Sequence, residues 1–298
     1  MAPLTINSTV KLNSGYEMPL LGFGVYQTPA KVAEECVTEA LKAGYRHIDS
    51  AAYYRNEGQC ATAILSASSD KSLSLPRDKV FFTSKIPPPG MGYASTKKQV
   101  AKTLEVTKLG YIDLMLIHAP YGGSKARKET WKALVEAVEE GKIRSIGISN
   151  YGVHHLDELE KHIKELEDER GGKGKGGIIS VGQWEIHPWM NRDDIVEWCR
   201  KRNIAVQAYS PVVRGEKFGK EPVLMKLAEK YGVSEAQVLI RWSLQKGYVP
   251  LPKSVTPERI RMNAQVYGFE LSKEEVDELS TKDYFSVAWD PTVEPLEK

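Results

Sequence analysis

The sequence is short of several things that would narrow its class quickly. It has only three cysteines, Cys36, Cys60 and Cys199, an odd number with no C-x-x-C pair. A disulfide scaffold and a structural zinc site are therefore not expected, and reduced thiols in a reducing compartment are. No uninterrupted apolar run approaches the roughly 18 residues that a membrane-spanning helix needs. The start, MAPLTINSTV, lacks a basic segment followed by an apolar one, so no secretory leader is expected and the expected location is cytoplasmic. Charge of one sign is also lacking: 41 Lys and Arg stand against 39 Asp and Glu, a net of +2. A nucleic-acid surface would show a basic excess on some element, and none is visible. Spacing for a metal is absent too, because His154, His155 and His162 have no HExxH pattern and no cysteine partners. Those three are expected on a solvated helix face.

What is present is a well-fed core, 41% hydrophobic over 298 residues, and a regular alternation. An entry hairpin (Thr9–Leu12, turn at Asn13 to Gly15, Glu17–Leu20) precedes eight short apolar runs: LLGFGV, RHID, VFFTSKI, IDLMLIH, IRSIGIS, IISVGQWEI, IAVQAYS and YVPLPKS. Amphipathic stretches lie between them, at Lys31–Ala43, Glu57–Leu65, Ser95–Lys108, Arg127–Glu140, His154–Glu169, Arg192–Lys201, Val223–Lys230 and Glu235–Gln245. Two more, Pro257–Ala264 and Lys273–Ser280, follow the last run. Strands alternating with helices imply βαβ units and a parallel sheet. Eight units suit a closed (β/α)₈ barrel with an N-terminal hairpin and extra C-terminal helices, rather than an open sheet. No linker divides 1–298, so one domain is expected. The stretch Glu165–Gly177, ELEDERGGKGKGG, reads as a solvated, flexible connection. It matches G-x-G-x-x-G by letter but neither follows a strand nor opens a helix.

In such barrels function sits where the strands end. The polar residues at those ends are Asp49, Lys85, His118, Ser149 with Asn150, Gln183 with Glu185, Tyr209 with Ser210, and Lys253 with Ser254. Asp49, Lys85 and His118 each close a strongly apolar run, and an unpartnered ionisable group there costs several kcal/mol. They are expected to meet at the barrel mouth. The loop DSAAYYRNE adds a tyrosine, and a lysine beside a phenol stabilises phenolate and makes it a stronger acid. A carboxylate would hold the lysine charged, and an imidazole would orient a carbonyl oxygen. This is equipment for protonating an oxygen as it gains negative charge. Residue chemistry does not choose between Tyr53 and Tyr54, and Asp49 could instead cap the helix near Glu57.

The segments GYRHIDSAAYYRNE, LMLIHAP, IGISNY, QWEIHP, AYSP and LPKSVTPERIRMN, in that order from about Leu20 to Leu279, resemble the aldo-keto reductase superfamily, in particular its microbial and fungal members. The resemblance implies a barrel that binds NADP(H) without a Rossmann fold. It places the acid–base tetrad at Asp49, Tyr54, Lys85 and His118, with Tyr54 protonating the carbonyl oxygen as hydride reaches the carbon. It assigns Ser149, Asn150 and Gln183 to the nicotinamide carboxamide, Tyr209 to the ring and Ser210 to the pyrophosphate. Lys253, Ser254, Thr256 and Arg259 fall at a helix start whose amides favour an anion, and the resemblance makes this the 2′-phosphate site. Asn263 matches the family's adenine end, while Met262 replaces an expected Glu. Phe23, Tyr26, Tyr121 and Trp184 are expected to line an aromatic substrate cleft, with Trp189 equally placed for core packing. The short connection after His118 predicts an open, shallow site for small aldehydes and ketones. The expected partner is a small carbonyl compound, with no nucleic acid or membrane, and the expected state is a monomer or weak homodimer.

Overall fold

A computed structural model describes residues 3–70 and 73–298. Met1 and Ala2, part of the start read for a leader, lie outside the described residues. The chain opens with an antiparallel hairpin, β1 (Thr9–Lys11) and β2 (Glu17–Pro19). Eight parallel strands follow in sequence order: β3 (Phe23–Gly24), β4 (His47–Asp49), β5 (Phe81–Ile86), β6 (Ile112–Ile117), β7 (Ile143–Ser149), β8 (Val181–Glu185), β9 (Ala205–Tyr209) and β10 (Val249–Leu251). The seam between β3 and β10 is bridged by Gly22 and Gly24, whose amides donate to the carbonyls of Pro250 and Pro252 at 3.0 Å each. Glycine is needed there, because a Cβ on Gly24 would come within 3.0 Å of the Leu251 carbonyl oxygen. The eight-stranded (β/α)₈ barrel expected from the alternation is thus formed.

Among the described residues ten helices surround or extend it: α1 (Ala30–Lys42), α2 (Glu57–Ser69), α3 (Tyr93–Thr107), α4 (Gly123–Glu139), α5 (Val153–Glu169), α6 (Asp193–Arg200), α7 (Pro222–Tyr231), α8 (Glu235–Gln245), α9 (Pro257–Ala264) and α10 (Lys273–Leu279). Helix α1 shows why such segments are helical. Its buried residues Ala33, Cys36, Val37, Ala40 and Leu41 repeat every three to four positions and form one apolar stripe. Helices α8 and α10 begin with reciprocal caps, Ser234 with Gln237 and Ser272 with Glu275. Helix α4 starts four residues before the expected Arg127, since Gly123 is accommodated in its first turn. No described helix is long and apolar enough to cross a membrane.

Strand alternation divides the core in two. Ile48, Phe82, Met115, Ile117, Ile148 and Trp184 pack outward under the helices. A smaller inner cluster of Phe81, Leu114, Leu116, Val181 and Val249 fills the lumen, and Leu12 and Met18 of the hairpin plug its floor. The register is what matters for function. Asp49 on β4 is in phase with buried His47, Lys85 on β5 with Thr83 and Phe81, and Gln183 on β8 with Val181, so all three turn into the lumen.

Two expected surface features are less loose than the sequence suggests. His155 and His162 are buried, not solvated: His155 Nδ1 accepts the Gly152 amide at 3.0 Å, and His162 bonds Ser124 Oγ at 3.1 Å. The Gly/Lys connection after α5 is tethered, with Trp131 Nε1 donating to the Gly176 carbonyl at 2.8 Å.

Candidate active site

The C-terminal ends of the strands surround a cleft of about 1360 Å³. At one end, Lys85 rises from β5 with its side chain fully buried. Its Nζ donates to Asp49 Oδ1 at 2.7 Å, to the Ser50 carbonyl at 2.9 Å and to Tyr54 Oη at 3.3 Å. A single 3-10 turn, Ala52–Tyr54, carries the phenol over the mouth. This contact separates the two tyrosines that sequence chemistry left open, since Tyr53 is 65% exposed and Lys85 bonds Tyr54. It also removes the capping alternative for Asp49, whose oxygens are taken by Lys85 and Gln183. His118, one residue beyond β6, lies edge-on to the Tyr54 ring at 5.6 Å.

The electrostatics differ from the sequence expectation in one respect. Burial first, and then the Asp49 charge, push the Tyr54 phenol well above its ordinary value of 10.0. It is therefore fully protonated at neutral pH and able to donate. Burial pulls the Lys85 ammonium down, while Asp49 opposes the loss of its proton. Burial also lowers His118 to about 3, with Lys85 adding to the effect, so the imidazole is neutral and keeps one N–H. The assembly can hold a proton on the phenol until an adjacent oxygen becomes basic enough to take it.

The middle of the cleft is lined by Ser149, Asn150, Gln183, Tyr209 and Ser210. Asn150 takes the left-handed conformation at φ 62°, which asparagine tolerates. Its Nδ2 donates to the His118 carbonyl and to Ser149 Oγ at 3.0 Å each, and its Oδ1 accepts from Tyr209 Oη at 2.8 Å. The Tyr209 ring is thereby fixed at the cleft wall. At the far end stand Lys253, Ser254, Arg259, Met262 and Asn263. Lys253 and Arg259 have no carboxylate within ion-pair distance among the described residues, although Glu258 also lines the cleft. Thr256 does not line it and instead begins α9. Ser254 Oγ is occupied locally, accepting the Thr256 amide at 3.1 Å.

Tyr26 and Tyr121, expected in the substrate cleft, line the cleft. Phe23 and Trp184 do not, and the reason is strand phase. Gly24 faces the cleft, so Phe23 faces the helices and meets the Tyr45 ring edge-on at 5.6 Å. Gln183 turns inward, so Trp184 turns outward, where its Nε1 donates to the Tyr151 carbonyl at 2.8 Å. Trp189 is likewise core, 2% exposed.

The cleft lining also includes residues that sequence reasoning missed, Arg214, Phe218 and Trp289 among them. Trp289 sits in an irregular tail without periodicity, and its ring lies 6.1 Å from His118 and 5.7 Å from Tyr121. The tail is tied down by Glu185, whose buried carboxylate accepts the Val287 and Ala288 amides at 2.7 and 3.1 Å. Burial pushes that carboxyl up, but His187, the Val287 amide and the Ser286 hydroxyl outweigh it and hold it below the usual range. Arg192 Nη2 pairs with Asp290 at 2.9 Å from the other side. The connection after His118, residues 119–122, is shorter still than expected, but the site is not simply open there, because the C-terminal tail supplies that wall.

A buried lysine–carboxylate–phenol set thus stands at the mouth of a parallel barrel, in a cleft that also carries two cations without an ion pair among the described residues. The comparisons with known proteins supply the class. The model of the aldo/keto reductase family matches residues 20–283. An uncharacterised oxidoreductase of Schizosaccharomyces pombe is 42% identical over 98% of this chain and 100% of its own length. The glyoxal reductase of Bacillus subtilis is 40% identical over 93% of each chain. The crystal structure of a Bombyx mori aldo-keto reductase in complex with NADP superposes with a TM-score of 0.80, at 28% identity over 93% of each chain. The chain belongs to the aldo/keto reductase family and is an oxidoreductase.

Proposed function

We propose that this chain reduces small aldehydes and ketones to alcohols with NADPH, using Tyr54 as the general acid. One observation carries the reading: the same fully buried Lys85 Nζ bonds both Asp49 and the Tyr54 hydroxyl. When bound, the nicotinamide supplies hydride to the carbonyl carbon. The chain's own groups do the rest. Tyr54 Oη, protonated at neutral pH, gives its proton to the carbonyl oxygen as that oxygen gains charge. Lys85 stabilises the phenolate left behind, and Asp49 keeps the ammonium charged and aimed. Neutral His118 offers an N–H to the same oxygen without repelling Lys85.

The cleft suits a nicotinamide dinucleotide by the chemistry of its lining. Tyr209 offers a ring face, Ser149, Asn150 and Gln183 offer amide and hydroxyl groups, and Ser210 follows at the turn. Lys253 and Arg259 favour a phosphate monoester at the far end, beside the start of α9. Exposed Arg214 is a third cation on the lining. These charges support NADP over NAD, as does the NADP in the Bombyx mori relative. Met262 gives the adenine end a thioether where a carboxylate is expected. Tyr26, Tyr121 and Trp289 wall the carbonyl end with aromatic surface, which suits small apolar or dicarbonyl substrates. The glyoxal reductase relative points the same way. Three free, buried thiols support a reducing, cytoplasmic setting.

The direct test follows NADPH oxidation at 340 nm across a panel of aldehydes, ketones and dicarbonyls, with NADH in parallel. Turnover with NADPH on small carbonyls and a much weaker response to NADH are expected. Equal affinity for the two cofactors would remove the argument from Lys253 and Arg259, and activity on one bulky ketone alone would remove the substrate class.

A further inference from the structure

Below the tetrad, the barrel lumen holds a polar chain that the proposed mechanism does not use. Asp49 Oδ2 accepts from Gln183 Nε2 at 2.8 Å, and the same nitrogen donates to Gln207 Oε1 at 2.7 Å. Gln207 Nε2 then faces Met18 Sδ at 3.3 Å and His47 Nε2 at 3.5 Å, and His47 Nε2 is 3.1 Å from Thr83 Oγ1. Gln207 and His47 are completely buried, and Gln183 is 2% exposed. The chain thus runs from the catalytic carboxylate to the hairpin that plugs the floor.

Its direction is dictated from the Asp49 end. A carboxylate ion-paired with an ammonium, as Asp49 is with Lys85, can only accept, so the Gln183 group turned toward it must be the NH₂. Both N–H bonds of that NH₂ are then used, one on Asp49 and one on Gln207. Gln207 must therefore present its carbonyl oxygen upward and its own NH₂ downward, where a thioether and an imidazole nitrogen can accept. The terminal torsion of a glutamine is broad and roughly two-fold, so an amide without such partners turns over at little cost. Here the orientation of Gln183 is settled, and its Oε1 remains as an acceptor on a residue that lines the cleft.

We propose that Gln207 is a positioning residue: by taking the second N–H of Gln183, it holds Gln183 Oε1 as a fixed acceptor for the carboxamide N–H of a bound nicotinamide. The proposal rests on the cofactor reading above. Gln207 touches neither cofactor nor substrate, and acts only through Gln183. Replacing it with an apolar side chain leaves one Gln183 N–H unpaired in the lumen and Asp49 as the single anchor of that NH₂, so the aim of Oε1 loosens.

The test uses Gln207→Leu and Gln207→Met, the second keeping side-chain length if the first folds poorly. NADPH is titrated into each chain and followed by quenching of tryptophan fluorescence, and steady-state kinetics are measured on a carbonyl that the wild type reduces. A rise in NADPH Kd of about tenfold, the size of one well-made polar contact, is expected, with a comparable fall in kcat and unchanged carbonyl KM. In a Gln183→Ala background, Gln207→Leu should add nothing further to Kd, because its route of action is gone. Equal losses in both backgrounds, or a lower melting temperature with unchanged NADPH Kd, would overturn the proposal and leave Gln207 a core residue. Failure of the wild-type chain to bind or turn over any nicotinamide dinucleotide would overturn the functional reading, and the proposal with it. Wild-type turnover with additive losses overturns the positioning role alone.

Discussion

Replacing Lys85 by Met removes the ammonium and keeps the side-chain length, and the structure sets two separate consequences. The first concerns catalysis. Lys85 Nζ is 3.3 Å from Tyr54 Oη. At an effective dielectric of about 20, a full phenolate charge at that distance interacts with it by about 5 kcal/mol. With about half of that charge developed in the transition state, roughly 2 to 3 kcal/mol is lost, so kcat should fall on the order of 10²-fold. The second concerns folding. Asp49 has a side chain only 6% exposed, and without Lys85 it keeps, among the described residues, the Gln183 donor. Removing one partner of a buried pair costs about 3 to 5 kcal/mol. Adding Asp49→Asn to Lys85→Met should recover most of that stability and none of the activity. Thermal melts and NADPH-dependent carbonyl reduction on both variants read the two effects separately. A Lys85→Met chain that folds and turns over at close to the wild-type rate would refute the assignment of the ammonium to the phenol.

Other outcomes follow from the same geometry. Lys253→Met with Arg259→Met should weaken NADPH by about 10- to 100-fold, as two charged contacts imply, with little change for NADH in parallel fluorescence titrations. Trp289→Ala should alter carbonyl KM and the preference between aromatic and aliphatic aldehydes without moving NADPH Kd, since the ring meets His118 and Tyr121 at the substrate end. Acid should unfold the chain earlier than its carboxylates alone require. His47, His118 and His155 are lowered to about 4, 3 and 4, so the unfolded chain binds more protons than the folded one from near pH 6.5 downward. Stability is thus full above that pH and falls below it, by up to about 2 kcal/mol per imidazole at pH 5. Melting temperatures measured from pH 7 to pH 4.5 test this, and a flat profile would contradict it.

The barrel was legible because strand and helix periods differ and this sequence keeps them apart. IDLMLIH and IRSIGIS carry five and six apolar or small residues with no helical stripe, whereas α1 spaces its apolar face by three and four. The proposed tetrad was legible for a different reason. A lysine, an aspartate and a histidine at the ends of buried strands have few places to go except toward one another, and the family motifs then select Tyr54. What failed was phase within a run. Both Phe23 and Trp184 sit one position from a cleft residue, Gly24 and Gln183, and a shift of one residue turns a side chain to the opposite face. The tail was missed because Trp289 is held by Glu185 and Arg192, partners about 100 positions earlier in the chain. Contacts of that range leave no local pattern. Gln207 is a milder case: the residue stands on a recognised strand, but its orientation is meaningful only once Asp49 and Gln183 are known to face it.

Tyr54→Phe is the measurement that bears most directly on the central claim. It removes one oxygen and leaves the ring contacts with Tyr26 and His118 in place, so NADPH binding by fluorescence should be near wild type while carbonyl reduction falls on the order of 10²-fold or more. Full turnover by Tyr54→Phe, with NADPH bound as tightly as in the wild type, would contradict the account.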